Sequence, residues 1–150
     1  MVNVLIFEEN KGFRKKIKDI LESFDVEMRI FESCTQDEAF SIMDEVSIDM
    51  FILDLETHKK CNVECIDKYL DPHNTIVITD NLTDDDSKKL VDIEIFDVLY
   101  KPVNINFFRI KINTLSRIIE RRKAFNMDNI MLNNALTKYI KILDEDVLND

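Results

Sequence analysis

Five short apolar runs constrain this chain more than any other feature. They are VNVLIF (2–7), VEMRIF (26–31), DMFILDL (49–55), TIVIT (75–79) and IFDVLY (95–100), each of strand length and rich in β-branched or aromatic residues. Between them lie stretches with helical spacing. In GFRKKIKDILESF, Phe13, Ile17, Ile20, Leu21 and Phe24 fall on one face, and in TQDEAFSIMDEV, Thr35 and Glu38 form a capping-box pattern ahead of Ala39, Phe40, Ile42 and Met43. CNVECIDKYL (61–70) and LTDDDSKKLVDI (82–93) are shorter, and Thr83 followed by Asp84, Asp85 and Asp86 suits a helix N-terminus. Strand and helix thus alternate five times, ending in a long helix that begins near Asn104. Such alternation predicts an α/β fold, a parallel sheet with helices on both faces. VLIF, FILDL and IVIT are continuously apolar, as strands buried on both faces must be, whereas Glu27 and Arg29 mark VEMRIF as an edge.

Composition narrows what such a sheet can do. With one glycine, Gly12, in 150 residues, the chain cannot build the glycine-rich loops that bring backbone against a nucleotide's phosphates. A net charge of −10 opposes direct nucleic-acid binding. No apolar run reaches membrane-spanning length and no basic leader opens the chain, so the expected location is the cytoplasm, away from membranes. Cys34, Cys61 and Cys65 are too few for a disulfide framework. His58 near Cys61 and Cys65 lacks the fourth ligand and the spacing of a zinc site, and ordinary free cysteines are the expectation.

In an open parallel sheet, chemistry collects at the carboxyl ends of the strands. Those ends carry Glu8 and Glu9, then Asp54, then Thr79 and Asp80, then Lys101 and Pro102. Carboxylates crowded at one edge repel unless a divalent cation or an amine sits among them. Magnesium suits such a set, because it takes oxygen ligands and keeps waters that a phosphoryl group can replace. Asp54 would then be an acid free to attack phosphorus, with Lys101 and Thr79 supplying charge and a hydroxyl to the transferred oxygens.

Across residues 2 to about 122 the chain resembles the receiver domain of two-component response regulators. The landmarks are Glu8-Glu9 closing VLIFEEN, Asp54 closing FILD, Thr79 closing IVIT, and Lys101-Pro102 in VLYKPV. The resemblance implies a flavodoxin-like, doubly wound, five-stranded parallel sheet in the order 2-1-3-4-5. It implies Asp54 as phosphoacceptor, charged by a histidine kinase or phosphotransfer protein, in a signalling domain and not an enzyme with a separate substrate. It also implies Mg2+ held by Glu9, Asp54 and the backbone carbonyl of Glu56, with Glu8 acting mainly through water. Lys101 would contact the acyl phosphate, the Lys101-Pro102 bond would be cis, and Thr79 would follow the phosphoryl group.

The chain departs from the family pattern in four places. Both members of the acidic pair are Glu where Asp is usual; Thr57 and His58 follow the acceptor loop where Met-Pro and a glycine are common; Asp80 replaces a small residue; and Val98 stands where an aromatic switch often does. These departures motivate an alternative, a receiver-like interaction module that works without phosphorylation. A magnesium-dependent phosphatase is a third reading, for which no second catalytic acid is visible.

Past residue 122 the chain continues as a helical extension, 123–150. Phe108, Ile112, Leu115 and Ile119 form a first apolar stripe suited to packing on the sheet. Leu132, Leu136, Tyr139 and Leu143 nearly repeat the spacing after the polar segment NMDN. That second stripe is expected either to fold back as an additional C-terminal helix, to pair with a second copy in a homodimer, or to serve as a linker. The basic cluster RIIERRK (117–123) reads as a solvated or acid-paired helix surface.

Overall fold

Parallel pairing sets the five apolar runs side by side with the second at one edge, then the first, third, fourth and fifth, the order that the family resemblance implies. The computed structural model describes residues 1–59, 68 and 70–149, with side chains to residue 146. The expected helix over CNVECIDKYL, with Cys61 and Cys65, lies outside the described residues apart from Lys68 and Leu70. The strands are β1 (Val2–Phe7), β2 (Met28–Ser33), β3 (Met50–Asp54), β4 (Thr75–Thr79) and β5 (Asp97–Tyr100). The helices are α1 (Lys11–Glu22), α2 (Gln36–Glu45), α3 (Leu55–Lys59), α4 (Asp84–Asp92) and α5 (Ile105–Asn149).

Burial follows position in the sheet. Every residue of the central strands β3 and β4 is buried, while the edge strands β2 and β5 are mostly half-buried. Because side chains alternate across a strand, the core divides into two layers. Val4, Ile6, Met50, Ile52, Ile76 and Ile78 meet Ile17 and Leu21 of α1 and Phe108, Ile112, Leu115 and Ile119 of α5 on one face. Leu5, Phe7, Phe51, Leu53 and Val77 meet Ala39 of α2, with Leu90 of α4 packed alongside, on the other.

Side-chain caps fix the helix starts. Asn10 accepts from the Phe13 amide at 2.9 Å, Thr35 from the Glu38 amide at 3.2 Å and Thr83 from the Asp86 amide at 3.1 Å. The reciprocal half of the Thr35 box goes to the Cys34 amide, 3.0 Å from Glu38 Oε2, one residue earlier than the standard form. Asn104 Oδ1 takes the Asn106 and Phe107 amides and starts α5 where the pattern placed it.

The extension does not fold back. It continues α5 through the NMDN segment, and every described side chain from Ala124 to Asp146 is exposed. Contact with the body ends at Arg122, whose guanidinium donates to Asn74 Oδ1 at 3.0 Å, and at Lys123, which pairs with Asp49 at 2.6 Å. The basic cluster is therefore partly spent on body contacts. No helix among the described residues is long and apolar enough to cross a membrane.

Candidate functional site

Strand alternation decides which strand-end residues can meet. Glu8 continues the Val4-Ile6 series, Asp54 the Met50-Ile52 series and Lys101 the Asp97-Leu99 series, so all three come off the face that packs on α1 and α5. Register then brings them together, since β1 and β5 flank the β3-β4 pair with Phe7 opposite Leu53 and Thr79 opposite Tyr100. The Lys101 ammonium lies 2.8 Å from Asp54 Oδ1 and 3.3 Å from Glu8 Oε2, and 4.7 Å above the Phe13 ring. Asp54 and Glu8 are 4% and 2% exposed, so this is a buried triad of two acids and one cation.

The two oxygens of Asp54 have different duties. Oδ2 caps α3, accepting from the Thr57 amide at 2.9 Å and the Thr57 hydroxyl at 2.6 Å. Oδ1 is buried beside Lys101 but has no aligned hydrogen bond among the described residues. Asp54 thus caps α3 with one oxygen and keeps the other beside the amine. Thr57 Oγ1 also receives the Glu9 amide at 3.2 Å, which ties the acidic loop to the Asp54 cap.

Electrostatics favour the charged form of Asp54. Burial pushes Asp54 upward, but the Lys101 ammonium and the Thr57 donors outweigh it and hold the carboxyl below its ordinary value. Burial likewise opposes the charge on Lys101, and the two carboxylates overcome it, raising the amine. Glu8 moves the other way: burial raises it, Asp54 adds to the rise, and the Asn10 amide and Lys101 offset only part.

The remaining expected site residues are placed as follows. Thr79 is fully buried on the opposite side of the strand ends, its hydroxyl 2.6 Å from Glu56 Oε1 and 2.8 Å from the Asn81 carbonyl. Glu56 Oε1 also receives the Asp80 amide at 3.1 Å, so its side chain sits at the end of β4, while the resemblance assigned its backbone carbonyl to the metal. Glu9 is exposed at the rim and Asp80 is exposed beyond Thr79. The Lys101-Pro102 peptide is cis. Thr57 and Phe13 were not among the residues expected here, although the Asp54-x-x-Thr57 spacing repeats that of the three helix caps and was readable as one.

The donor set suits a hard cation, having only carboxylate oxygens and an Asp54 Oδ1 without a hydrogen bond. Among the described residues no three His, Cys, Asp or Glu side chains are grouped closely enough to hold a metal ion unaided. A magnesium ion at this edge would therefore draw on backbone carbonyl and water as well.

No protein-family model matches this sequence. No curated protein matches it either. Among solved structures, a response regulator from Thermotoga maritima is 15% identical, with a TM-score of 0.64 over 78% of this chain and 98% of that one. The signal receiver domain of a DNA-binding response regulator from Colwellia psychrerythraea 34H is 21% identical, with a TM-score of 0.62 over 78% and 99%. A yeast Spc42 trimeric coiled-coil segment fused to another protein, 16% identical, aligns at a TM-score of 0.67 over 98% of this chain and 96% of that one. At these identities the likeness concerns the fold.

Proposed function

We propose that this chain, which has the receiver fold of two-component response regulators, accepts a phosphoryl group on Asp54 from a histidine kinase or phosphotransfer protein. The observation that carries the reading is the half-buried Lys101 ammonium beside an ionised Asp54 whose Oδ1 is turned toward it. Asp54 Oδ1 would attack the phosphorus of a phosphohistidine. An O–P bond forms, the P–N bond breaks, and its electron pair stays on the imidazole nitrogen, which takes up a proton. The product is a mixed anhydride that water can later cleave.

Lys101 neutralises the incoming phosphoryl oxygens in a low-dielectric setting, where such charge is worth more than in water. Thr57 holds Asp54 in place without occupying Oδ1, so little reorganisation precedes attack. Glu8, Glu9, Asp54 and the Glu56 carbonyl would hold Mg2+, which when bound supplies positive charge to the phosphoryl oxygens. A groove of about 660 Å³ between α1 and the start of α5, with Phe13, Ile20, Lys101 and Pro102 on its walls, gives a donor's side chain an approach.

Incubation with acetyl phosphate and Mg2+, followed by intact mass measurement, should show one added phosphoryl group on the native chain and none on Asp54→Asn. Equal labelling of both chains, or none of either, contradicts the assignment; the second result favours an interaction module that works without phosphorylation.

The extension serves self-association in this proposal. Phe125, Asn129, Leu132, Leu136, Tyr139 and Leu143 follow the alternating 4-3 spacing of a coiled-coil seam, and the five apolar members are 45 to 64% exposed in a single chain. A projecting helix with that much uncovered apolar surface is better placed against a copy of itself, and Asn129 inside the seam favours one register. Sedimentation equilibrium should give a dimer or larger assembly for the full chain and a monomer for a chain stopped after Lys123. Monomer masses for both would reject this role.

A further inference from the structure

Glu56 is placed against the expectations for a first-turn carboxylate. Such a group gains a fraction of a kcal/mol at a helix N-terminus and normally faces water. Here Oε1 accepts from the Thr79 hydroxyl at 2.6 Å and from the Asp80 amide at 3.1 Å. Oε2 is buried without a hydrogen bond among the described residues. A buried, unsatisfied carboxylate oxygen is costly, and it stays there only because the other oxygen is held by two donors.

Those two donors matter because of where they are. A phosphoryl group on Asp54 would have Lys101 on one side; on the other, the Thr79 hydroxyl and the Asp80 N–H are the groups directed at an anion. A hydroxyl has one proton to give. While Glu56, the nearer of its two acceptors at 2.6 Å against 2.8 Å for the Asn81 carbonyl, holds it, a phosphoryl oxygen cannot. Nor can both anions stay, because the phosphoryl group brings nearly two negative charges beside a carboxylate. We propose that Glu56 is a resident anion in the phosphoryl-binding seat, a positioning residue that must swing out to solvent before Asp54 can be fully charged. The inference rests on Asp54 being the acceptor. It makes Glu56 a brake on phosphorylation. It also means that Thr79 and the loop after β4 are already drawn inward at rest, so that phosphorylation exchanges one anion for another on the same donors.

Titration with beryllofluoride and Mg2+, followed by 19F NMR, measures occupancy of the seat without turnover. Glu56→Ala should bind about tenfold more tightly than the native chain, the size of one charge-assisted hydrogen bond returned to the ligand. Glu56→Gln, which loses the charge but can still accept from Thr79, should fall between them. In a Thr79→Val background the gain from Glu56→Ala should shrink, which a merely structural residue would not produce. Native, Glu56→Ala and Glu56→Gln chains that bind equally, all folded by circular dichroism, would overturn the proposal and leave Asp54 as acceptor. Absence of binding in every chain, including Glu56→Ala, would reject the acceptor reading and this proposal with it.

Discussion

Replacing Lys101 by Met is expected to cost about 2–4 kcal/mol of stability at neutral pH and to stop phosphoryl acceptance. The residue is the cation between two carboxylates that are almost fully buried, and its removal leaves both without a counter-charge. The estimate sits somewhat below the usual range for breaking a buried pair because the Lys101 side chain is 18% exposed and water can reach the gap. The pH dependence has a definite sign. The Glu8 pKa is already raised in the native state from 4.5, so the folded chain binds more protons than the unfolded one just above that value, and stability falls as pH rises through this window. Without the amine, Glu8 is pushed further up, Asp54 loses a group that held it down, and the window widens toward alkaline pH. Urea unfolding at about pH 5 and about pH 8 should therefore show the larger deficit at the higher pH. A variant as stable as the native chain at both would mean that the triad is not held by its charge.

Phe108→Ala should destabilise the chain by about 3–5 kcal/mol, while the same change at the neighbouring Phe107 should alter stability by about 0.5 kcal/mol or less. Phe108 is 1% exposed and packs with Ile112, Leu115 and Ile119 into the layer between α5, α1 and the sheet. Phe107 points outward and is 61% exposed. For a domain whose total stability is of the order of 5–15 kcal/mol, the first change removes a large share. It would also loosen the start of α5, which follows directly on the Lys101-Pro102 segment. Denaturant titration of the two variants distinguishes them, and similar midpoints would contradict the assignment of faces on α5.

The layered α/β fold was legible because parallel strands buried on both faces leave continuous apolar runs that no amphipathic helix would show. Edge strands were harder. VEMRIF suggested pairing over residues 26–31, yet β2 runs Met28–Ser33 because pairing with β1 continues to Ser33 opposite Phe7, and the Ser33 hydroxyl donates to the Ile6 carbonyl at 3.2 Å. IFDVLY overstated β5, which begins at Asp97; the Phe96 amide goes instead to the Pro72 carbonyl at 3.0 Å. Polar residues at one end and tertiary hydrogen bonds at the other moved both boundaries, and neither is visible in local hydrophobicity.

The site shows the same division. Glu8, Asp54 and Lys101 could be read from strand ends because alternation and strand order dictate their meeting. The partners of the Glu56 side chain could not, because local pattern does not show that a first-turn carboxylate will reach the Thr79 hydroxyl and the Asp80 amide across the sheet edge. The continuation of α5 past Lys123 was likewise ambiguous in sequence, since NMDN is polar yet contains no glycine or proline to end a helix.

The central claim is that an ionised, amine-paired Asp54 is the group that takes phosphorus. Phosphorylating the native chain with a small phosphodonor and Mg2+, then reducing it with borohydride, converts an aspartyl phosphate to homoserine, which peptide sequencing by mass spectrometry can locate. Homoserine at position 54 alone is the predicted result. A phosphorylated chain whose homoserine lies elsewhere, or a folded chain that takes no phosphoryl group under any of these conditions, would contradict it.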